Sequence, residues 1–363
     1  MFPRLLFLLN IAACLAPAQP LRVAIAGLNH GHVTGFLRAA EARPAEIAIV
    51  AIWDPSPTLL TKYAKSNHIP ENRLFTDLSK MLDSVMPEAV ATFTDTFAHK
   101  QVVEAAAPRH IPVMMEKPLA TNNLHARAIQ QASEKYETPV FVNYETTWYR
   151  SHGEIWNLLH NQKAGGPIRR MVAMDGHQGP REINVQPEFF SWLNDPAKNG
   201  AGALFDFGCY GANLMTWLMD NQRPRRVTAI THTTKPSIYT NVDDEATILL
   251  DYPQAQGVIE ASWNWPFSRK DFEVYGATGY AIATGGNNLR VRLGNAKTEE
   301  TPTPAALAPQ EADSISYLIA VVRRKLKPAG LSSLENNVIV TEILDAARES
   351  SRTGRTITLG PAK

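Results

Sequence analysis

The stretch Leu21-Arg22-Val23-Ala24-Ile25-Ala26-Gly27-Leu28-Asn29-His30-Gly31-His32 decides the fold. A short, mostly apolar run with β-branched residues enters a glycine turn, and residues 33–42 follow as a helix. Strand, glycine turn and helix is the context in which glycines read as a dinucleotide cradle. Gly27 permits the tight turn, while the helix start offers free N–H groups and partial positive charge to a pyrophosphate. Against G-x-G-x-x-G, Asn29 and His32 fill the second and third glycine places, so the fingerprint alone is a weak signal.

The next strand strengthens it. Residues 46–53 are strand-like and close on Asp54, 22 residues past His32. An acid there accepts hydrogen bonds from a ribose 2′-OH and repels a 2′-phosphate, favouring NAD over NADP. The competing reading of Asp54 is a cap before Pro55. Helices at 57–66 and 78–84, strand 89–93, helix 99–107, strand 112–115, helix 123–136 and strand 139–143 continue the alternation. That pattern is α/β, a doubly wound parallel sheet. Ligands on such sheets sit beyond the strand C-termini. The expected cofactor contacts are therefore Gly27, Leu28, Asn29, His30, Gly31, His32, Asp54, Thr94, Thr96, His99, Glu116, Lys117, Pro118 and Asn143.

From residue 143 the pattern changes. A helix at 151–161 and the Gly165-Gly166-Pro167 turn precede strands at 168–175, 226–231, 246–252, 257–263, 272–275 and 280–284. Without long helices between most of them, these read as a mostly antiparallel sheet, closed by helices at 313–326 and 334–350. Residues 200–213 (GAGALFDFGCYGAN) are chemically dense. A helix starting near Asp206 places Asp206, Tyr210 and Asn213 on one face. The alternative is an Asp206 N-cap beside a satisfied buried Tyr210. Cys209 lies off that face and reads as packing.

Composition narrows the classes. At 363 residues the chain suits two domains. Lys and Arg number 36 against 35 Asp and Glu, a formal charge of +1, so nothing points to nucleic acid. Cys14 and Cys209 alone give neither a disulfide framework nor a thiolate zinc cluster. His30 and His32 lack a third ligand nearby in sequence, so no metal is expected. Arg4, an apolar run at 5–15 and Ala16-Pro17-Ala18 read as an export signal cleaved after Ala18, with no stable membrane span. Ile11-Ala12-Ala13-Cys14 leaves a lipoprotein at Cys14 as the alternative. The expected organisation is a signal at 1–18, a nucleotide domain at 19–142 and a second domain at 143–363, in a periplasmic or secreted protein.

Fingerprint, Asp54, Glu116-Lys117-Pro118 and Asp206-x-Gly208-x-Tyr210, in this order and at these separations, closely resemble the Gfo/Idh/MocA family of nicotinamide-dependent oxidoreductases. The resemblance runs to Leu344-Asp345-Ala346-Ala347 and Thr353-Gly354-Arg355. Tyr210 fills the family's usual histidine place, as in the glucose–fructose oxidoreductase and dihydrodiol dehydrogenase branch. The resemblance implies a Rossmann domain and a C-terminal α+β domain whose open-faced sheet carries substrate and homo-oligomer contacts. It further implies hydride transfer between a sugar or polyol hydroxyl and NAD, with Lys117, Tyr210 and Asp206 catalytic. Tyr210 would exchange the hydroxyl proton, its pKa lowered by Lys117. Asp206 and Asn213 would hold neighbouring hydroxyls. Trp148, Tyr149, Arg150 and His177 would touch substrate, and Trp263 and Trp265 would stack on it. Two alternatives are a redox-assisted glycosidase or lyase with retained cofactor, and a non-catalytic sensor.

Overall fold

The computed structural model describes residues 19–360. The export signal, with Cys14 and Ala18, lies outside the described residues. In the first part, β1 (Leu21–Ala26), β2 (Ile47–Trp53), β3 (Leu74–Phe75), β4 (Ala89–Thr92), β5 (Val113–Glu116) and β6 (Val140–Asn143) form one parallel sheet. Its order is β3-β2-β1-β4-β5-β6, the doubly wound topology expected. All four residues of β4 are buried, as a strand covered on both faces requires. Only β3 escapes the sequence reading, because two residues carry no periodicity.

Helices α1 (Val33–Glu41), α2 (Pro57–Ser66), α3 (Leu78–Val85), α4 (His99–Ala106) and α5 (Asn123–Lys135) link these strands. Ser56, Asp77 and Asn122 cap α2, α3 and α5 through their side chains. By contrast, α1 has no side-chain cap. Val33 N–H donates to His30 O at 3.1 Å, and no side chain takes the N–H groups that follow, which is how a helix start serves an anion.

After α6 (Arg150–Trp156) comes β7 (Ile168–Gly176), then the short helices α7 (Pro187–Leu193), α8 (Pro196–Asn199) and α9 (Ala203–Asp206). Helix α10 (Gly208–Leu218) precedes β8 (Arg226–His232), β9 (Glu245–Asp251), β10 (Gln256–Ser262), β11 (Arg269–Gly276), β12 (Gly279–Thr284) and β13 (Leu289–Leu293). Helices α11 (Ser314–Val322) and α12 (Leu334–Thr353) and strand β14 (Ile357–Thr358) complete the chain. The second sheet runs β13-β12-β11-β7-β10-β9-β8-β14, antiparallel except at β7–β10. In β9 buried and exposed residues alternate, the mark of a sheet covered on one face. β13 and β14 are strands the sequence reading did not contain.

The expected cut at 142/143 falls on the last residue of β6, and it does not divide the packing. Ile315, Tyr317, Leu318 and Val321 of α11 join Ile25, Phe93 and Phe141 in one buried cluster of the nucleotide domain. The apolar face of α11 thus returns to the first sheet, an arrangement that sequence distance hides.

Candidate functional site

The nucleotide turn is built by backbone first. Gly27 has φ +89°, and a Cβ there would stand 2.5 Å from Thr94 Cγ2. Asp54 Oδ2 accepts the Leu28 N–H at 2.8 Å and Oδ1 accepts the Ser56 N–H at 2.8 Å. Both readings of Asp54 therefore meet, since it braces the turn and caps its own loop. Each oxygen keeps a lone pair for a ribose hydroxyl. Burial raises this carboxyl above its ordinary value, against the two N–H bonds. Around the uncapped α1, Asn29 Oδ1, His30 Nε2 and Thr96 Oγ1 are buried without a partner among the described residues. An uncapped helix start ringed by orphaned polar atoms fits a dinucleotide.

Glu116 is the centre of a chain. Its Oε2 lies 2.9 Å from His32 Nδ1, Oε1 accepts Asn143 Nδ2 at 3.0 Å, and Asn143 Oδ1 accepts Trp148 Nε1 at 3.1 Å. The expectation that His30 and His32 lack a third ligand is thereby corrected, because Glu116 closes within 4.8 Å of both. The tautomer disfavours an ion nonetheless. His30 Nδ1 accepts the His32 N–H at 3.2 Å, so the neutral ring carries its proton on Nε2 and offers no free lone pair there. His99 is buried, with Nδ1 3.2 Å from Leu119 O and Nε2 without a partner among the described residues, so it braces the loop after Pro118.

The catalytic expectation centres on Lys117, whose bond to Pro118 is cis. Lys117 Nζ reaches Asp206 Oδ1 at 2.5 Å and Asp206 O at 2.9 Å, with both side chains buried. Burial opposes both charges, but their mutual attraction wins: Lys117 is raised and Asp206 lowered from their ordinary values. Trp263 Nε1 donates to the other Asp206 oxygen at 2.9 Å. Trp263 is fully buried against Tyr239, so it positions Asp206 and is no stacking platform for a sugar. Helix α9 is held by Asp243, whose carboxylate accepts the N–H groups of Gly202 at 2.8 Å and Leu204 at 2.7 Å. Burial pushes Asp243 up to about 6.

Tyr210 stands beside this pair. Its ring centroid lies 5.1 Å from Lys117 Nζ and 5.2 Å from Lys270 Nζ. The expected lowering of its phenol is overturned. Burial first, and then Glu145, hold it well above its ordinary value, while Lys117 is engaged by Asp206. The helical register is also corrected. Phe207 separates α9 from α10, so Asp206 lies outside the helix that carries Tyr210 and Asn213, and the Asn213 amide is spent on packing, its Nδ2 donating to Leu331 O at 2.8 Å and Asn337 Oδ1 at 3.2 Å. Asn213 joins α10 to α12 and is no substrate contact. Cys209 is buried, with its thiol pushed up to about 12 by burial, which leaves it inert.

Of the other expected contacts, His177 belongs to the cluster. Its ring is edge-on to Phe207 at 4.9 Å, and burial pulls it down to about 4 although Asp206 acts the other way. His177 Nδ1 accepts the Gly179 N–H at 2.9 Å, leaving Nε2–H as a donor. Trp148 bonds Asn143 and packs 5.4 Å from Tyr317, so it is a brace and not a wall of this cluster. Arg150 is exposed at the start of α6 and makes no hydrogen bond or ion pair with the cluster. Tyr149 donates to Glu145 Oε1 at 2.6 Å, and Lys270 Nζ lies 2.7 Å from Glu145 Oε2. Trp265 Nε1 bonds Asp175 O at 3.3 Å.

Asp175 was missed. It is 1% exposed, and neither carboxylate oxygen has a partner among the described residues. Burial raises it well above its ordinary value, against the pull of Lys270, its cross-strand neighbour. One signal was available: along β7, Met171, Ala173 and Asp175 share the inward register, where an acid is out of place.

A segment of the second part lies over the turn. Trp192 Nε1 donates to Asn29 O at 3.0 Å, and the Phe189 ring is 4.5 Å from that of His30. A Cβ on Gly31 would meet Phe189 at 2.7 Å. Glu188 receives Lys62 Nζ at 2.7 Å and Tyr63 OH at 3.1 Å. Helix α7 thus straps the nucleotide turn from outside.

Comparison with known proteins agrees with this architecture. Residues 21–144 match a family described as "Oxidoreductase family, NAD-binding Rossmann fold", and residues 152–282 match the "GFO/IDH/MocA C-terminal domain". The chain is 28% identical over 167 residues to trans-1,2-dihydrobenzene-1,2-diol dehydrogenase of Xenopus laevis, covering 45% of this chain but only 46% of that protein. It is 25% identical over 347 residues to D-apiose dehydrogenase of Paraburkholderia graminis, covering 91% of this chain and 86% of the relative. An inositol dehydrogenase homolog from Azotobacter vinelandii, solved with NAD+, superposes with a TM-score of 0.80 at 18% identity, over 94% of this chain and 98% of that one. The two matched segments take in the first sheet, most of the second and the Lys117–Asp206 junction between them, and the chain belongs to the Gfo/Idh/MocA family of NAD-binding oxidoreductases.

Proposed function

We infer that the protein is an exported NAD-dependent oxidoreductase acting on a CH–OH group of a sugar or polyol. The observation that carries the reading is the buried Lys117–Asp206 pair with Tyr210 against it, at the junction of nucleotide domain and second sheet. The relatives' names, D-apiose dehydrogenase and inositol dehydrogenase homolog, support the substrate class. The apolar run at 5–15 followed by Ala16-Pro17-Ala18 supports export. Exposed Ile230 and Leu249 on the uncovered sheet face support self-association there.

Bound NAD would supply the hydride acceptor, held by the 27–32 turn, Asp54 and the Glu116–Asn143 pair. Lys117 stabilises negative charge developing on the substrate oxygen, and Asp206 fixes its ammonium in place. Tyr210, kept as a phenol by burial, donates its proton to a carbonyl oxygen or, at alkaline pH, takes one from a hydroxyl. His177 Nε2–H supplies a neutral donor to a further hydroxyl.

A second reading, redox-assisted glycoside cleavage with a retained cofactor, is favoured by one observation: the α7 strap from the second part closes over the nucleotide turn. The deciding experiment denatures protein purified without added nucleotide and identifies any released dinucleotide by mass. The mature protein is then assayed with a panel of aldoses, polyols and aryl glycosides. Net NADH from a free sugar supports the dehydrogenase. Glycoside cleavage without net NADH supports the second reading. No bound or bindable nucleotide overturns both.

Asp175 gives a residue-level prediction. Leucine there removes a buried unpaired polar group, so Asp175→Leu is expected to raise stability by about 1–3 kcal/mol. It should also raise KM for the sugar by about 10-fold or more while kcat changes little, the trade-off of a site residue. Asp175→Asn should keep most of the affinity. Steady-state kinetics beside thermal unfolding checks this, and a stabilised leucine variant with unchanged KM refutes a substrate role.

A further inference from the structure

A cavity of about 660 Å³ lies away from the Lys117 cluster, between α6, the C-terminal end of α10, α11 and the loop before α12. Its size is that of a small-molecule pocket. Four aromatic rings form its walls. Trp156 is stacked on both faces, against Trp217 at 4.6 Å and His160 at 3.8 Å between centroids, and Trp148 stands 5.4 Å from Tyr317. Trp148 turns its indole N–H toward Asn143, on the nucleotide side, while the residue also lines this cavity.

The polar groups are uncommitted. Neither indole N–H of Trp156 and Trp217 donates to another group among the described residues. Glu311 makes no ion pair there, and Asp220 has only the His160 ring nitrogen at 3.8 Å, whose other nitrogen is taken by Leu218 O. Asp220 and Asn221 both adopt positive φ, +52° and +59°, in the turn that ends α10.

These features select a ligand. The lining holds two carboxylates and no lysine or arginine, which disfavours a phosphate or a nucleotide. The rings of Trp217, Trp148 and Tyr317 suit the C–H face of a sugar ring, and carboxylates, an amide and free indole N–H groups suit its hydroxyls. We propose that this cavity is an accessory carbohydrate site for a neutral pyranoside, separate from the catalytic junction. It stands whether or not the oxidoreductase reading does, because no catalytic residue lines it.

The test uses the full mature protein with methyl β-D-glucopyranoside and methyl β-D-xylopyranoside, followed by saturation-transfer NMR and tryptophan fluorescence. Binding on the order of 1 mM is expected. It should weaken by about 10-fold or more in Trp217→Leu and in Asp220→Ala, and persist in Asp206→Asn. Asp220 is exposed, so its variant reports on the site even where the tryptophan variant fails to fold. Binding lost only in Asp206→Asn places the sugar at the catalytic junction and overturns the proposal. So does binding of choline in place of the glycosides, which means a cation cage, and so does no saturable binding of either glycoside.

Discussion

Lys117→Met is expected to lower turnover by about 10²-fold or more while NAD affinity stays within a few-fold. The argument starts from the ion pair. Lys117 Nζ is the cation for both Asp206 Oδ1 and Asp206 O, and the pair is almost fully buried. Methionine keeps the length and apolar stem but leaves a carboxylate buried with Trp263 alone. Breaking one side of such a pair costs about 3–5 kcal/mol. The pH dependence should invert. In the parent protein Asp206 is lowered, so its contribution is present above the unfolded value of about 4 and is lost as pH falls through that range. Lys117 is raised, so its contribution holds below about 10 and is lost above it. In the variant the unpaired carboxyl is raised instead, and the protein loses stability as pH climbs from about 4 toward neutrality. Thermal unfolding at several pH values, beside stopped-flow turnover, checks both parts. Adding Asp206→Leu to Lys117→Met should recover part of the stability and none of the turnover. Unchanged turnover in Lys117→Met would sink the catalytic assignment.

Tyr210→Phe carries the second large effect. Burial and nearby carboxylates hold the phenol protonated, so it is an acid at neutral pH and a base only in alkali. Carbonyl reduction should therefore be flat through neutrality. Alcohol oxidation should climb about tenfold per pH unit toward the alkaline limb. In Tyr210→Phe that climb disappears and reduction falls by about 10²-fold or more. A limb that moves in the variant to a break near 4, where burial holds His177, would transfer the proton-exchange role to that residue. His177→Gln then becomes the variant that flattens the profile.

Much of the fold was legible because its signals are local. The run ending at Gly27, the acid at Asp54 and the Glu116-Lys117-Pro118 turn each sit at a strand end that apolar patterning reveals. The site was legible only in its membership. Lys117, Asp206, Tyr210 and His177 do gather, but their electrical roles differ from those a linear reading assigns. Lys117 was expected to act on Tyr210, and it acts on Asp206. Asn213 was read onto the face of Asp206 from a helix starting near Asp206, but α10 starts only at Gly208, and the Asn213 amide is spent on Leu331 and Asn337. Trp263, expected as a platform, is a buried hydrogen-bond donor.

The sequence by itself determined the two sheets, the nucleotide turn and the residue types at the junction. Periodicity, capping and glycine spacing act over a few residues and need no distant partner. Tertiary structure alone decided which charges pair and which groups stay unpaired. Lys117 meets Asp206 across 89 residues, Trp192 reaches Asn29 across 163, and Asp175 is left without a partner among the described residues by the way β7 is covered. Burial and proximity set those protonation states, and both are properties of the packed molecule that no stretch of chain contains.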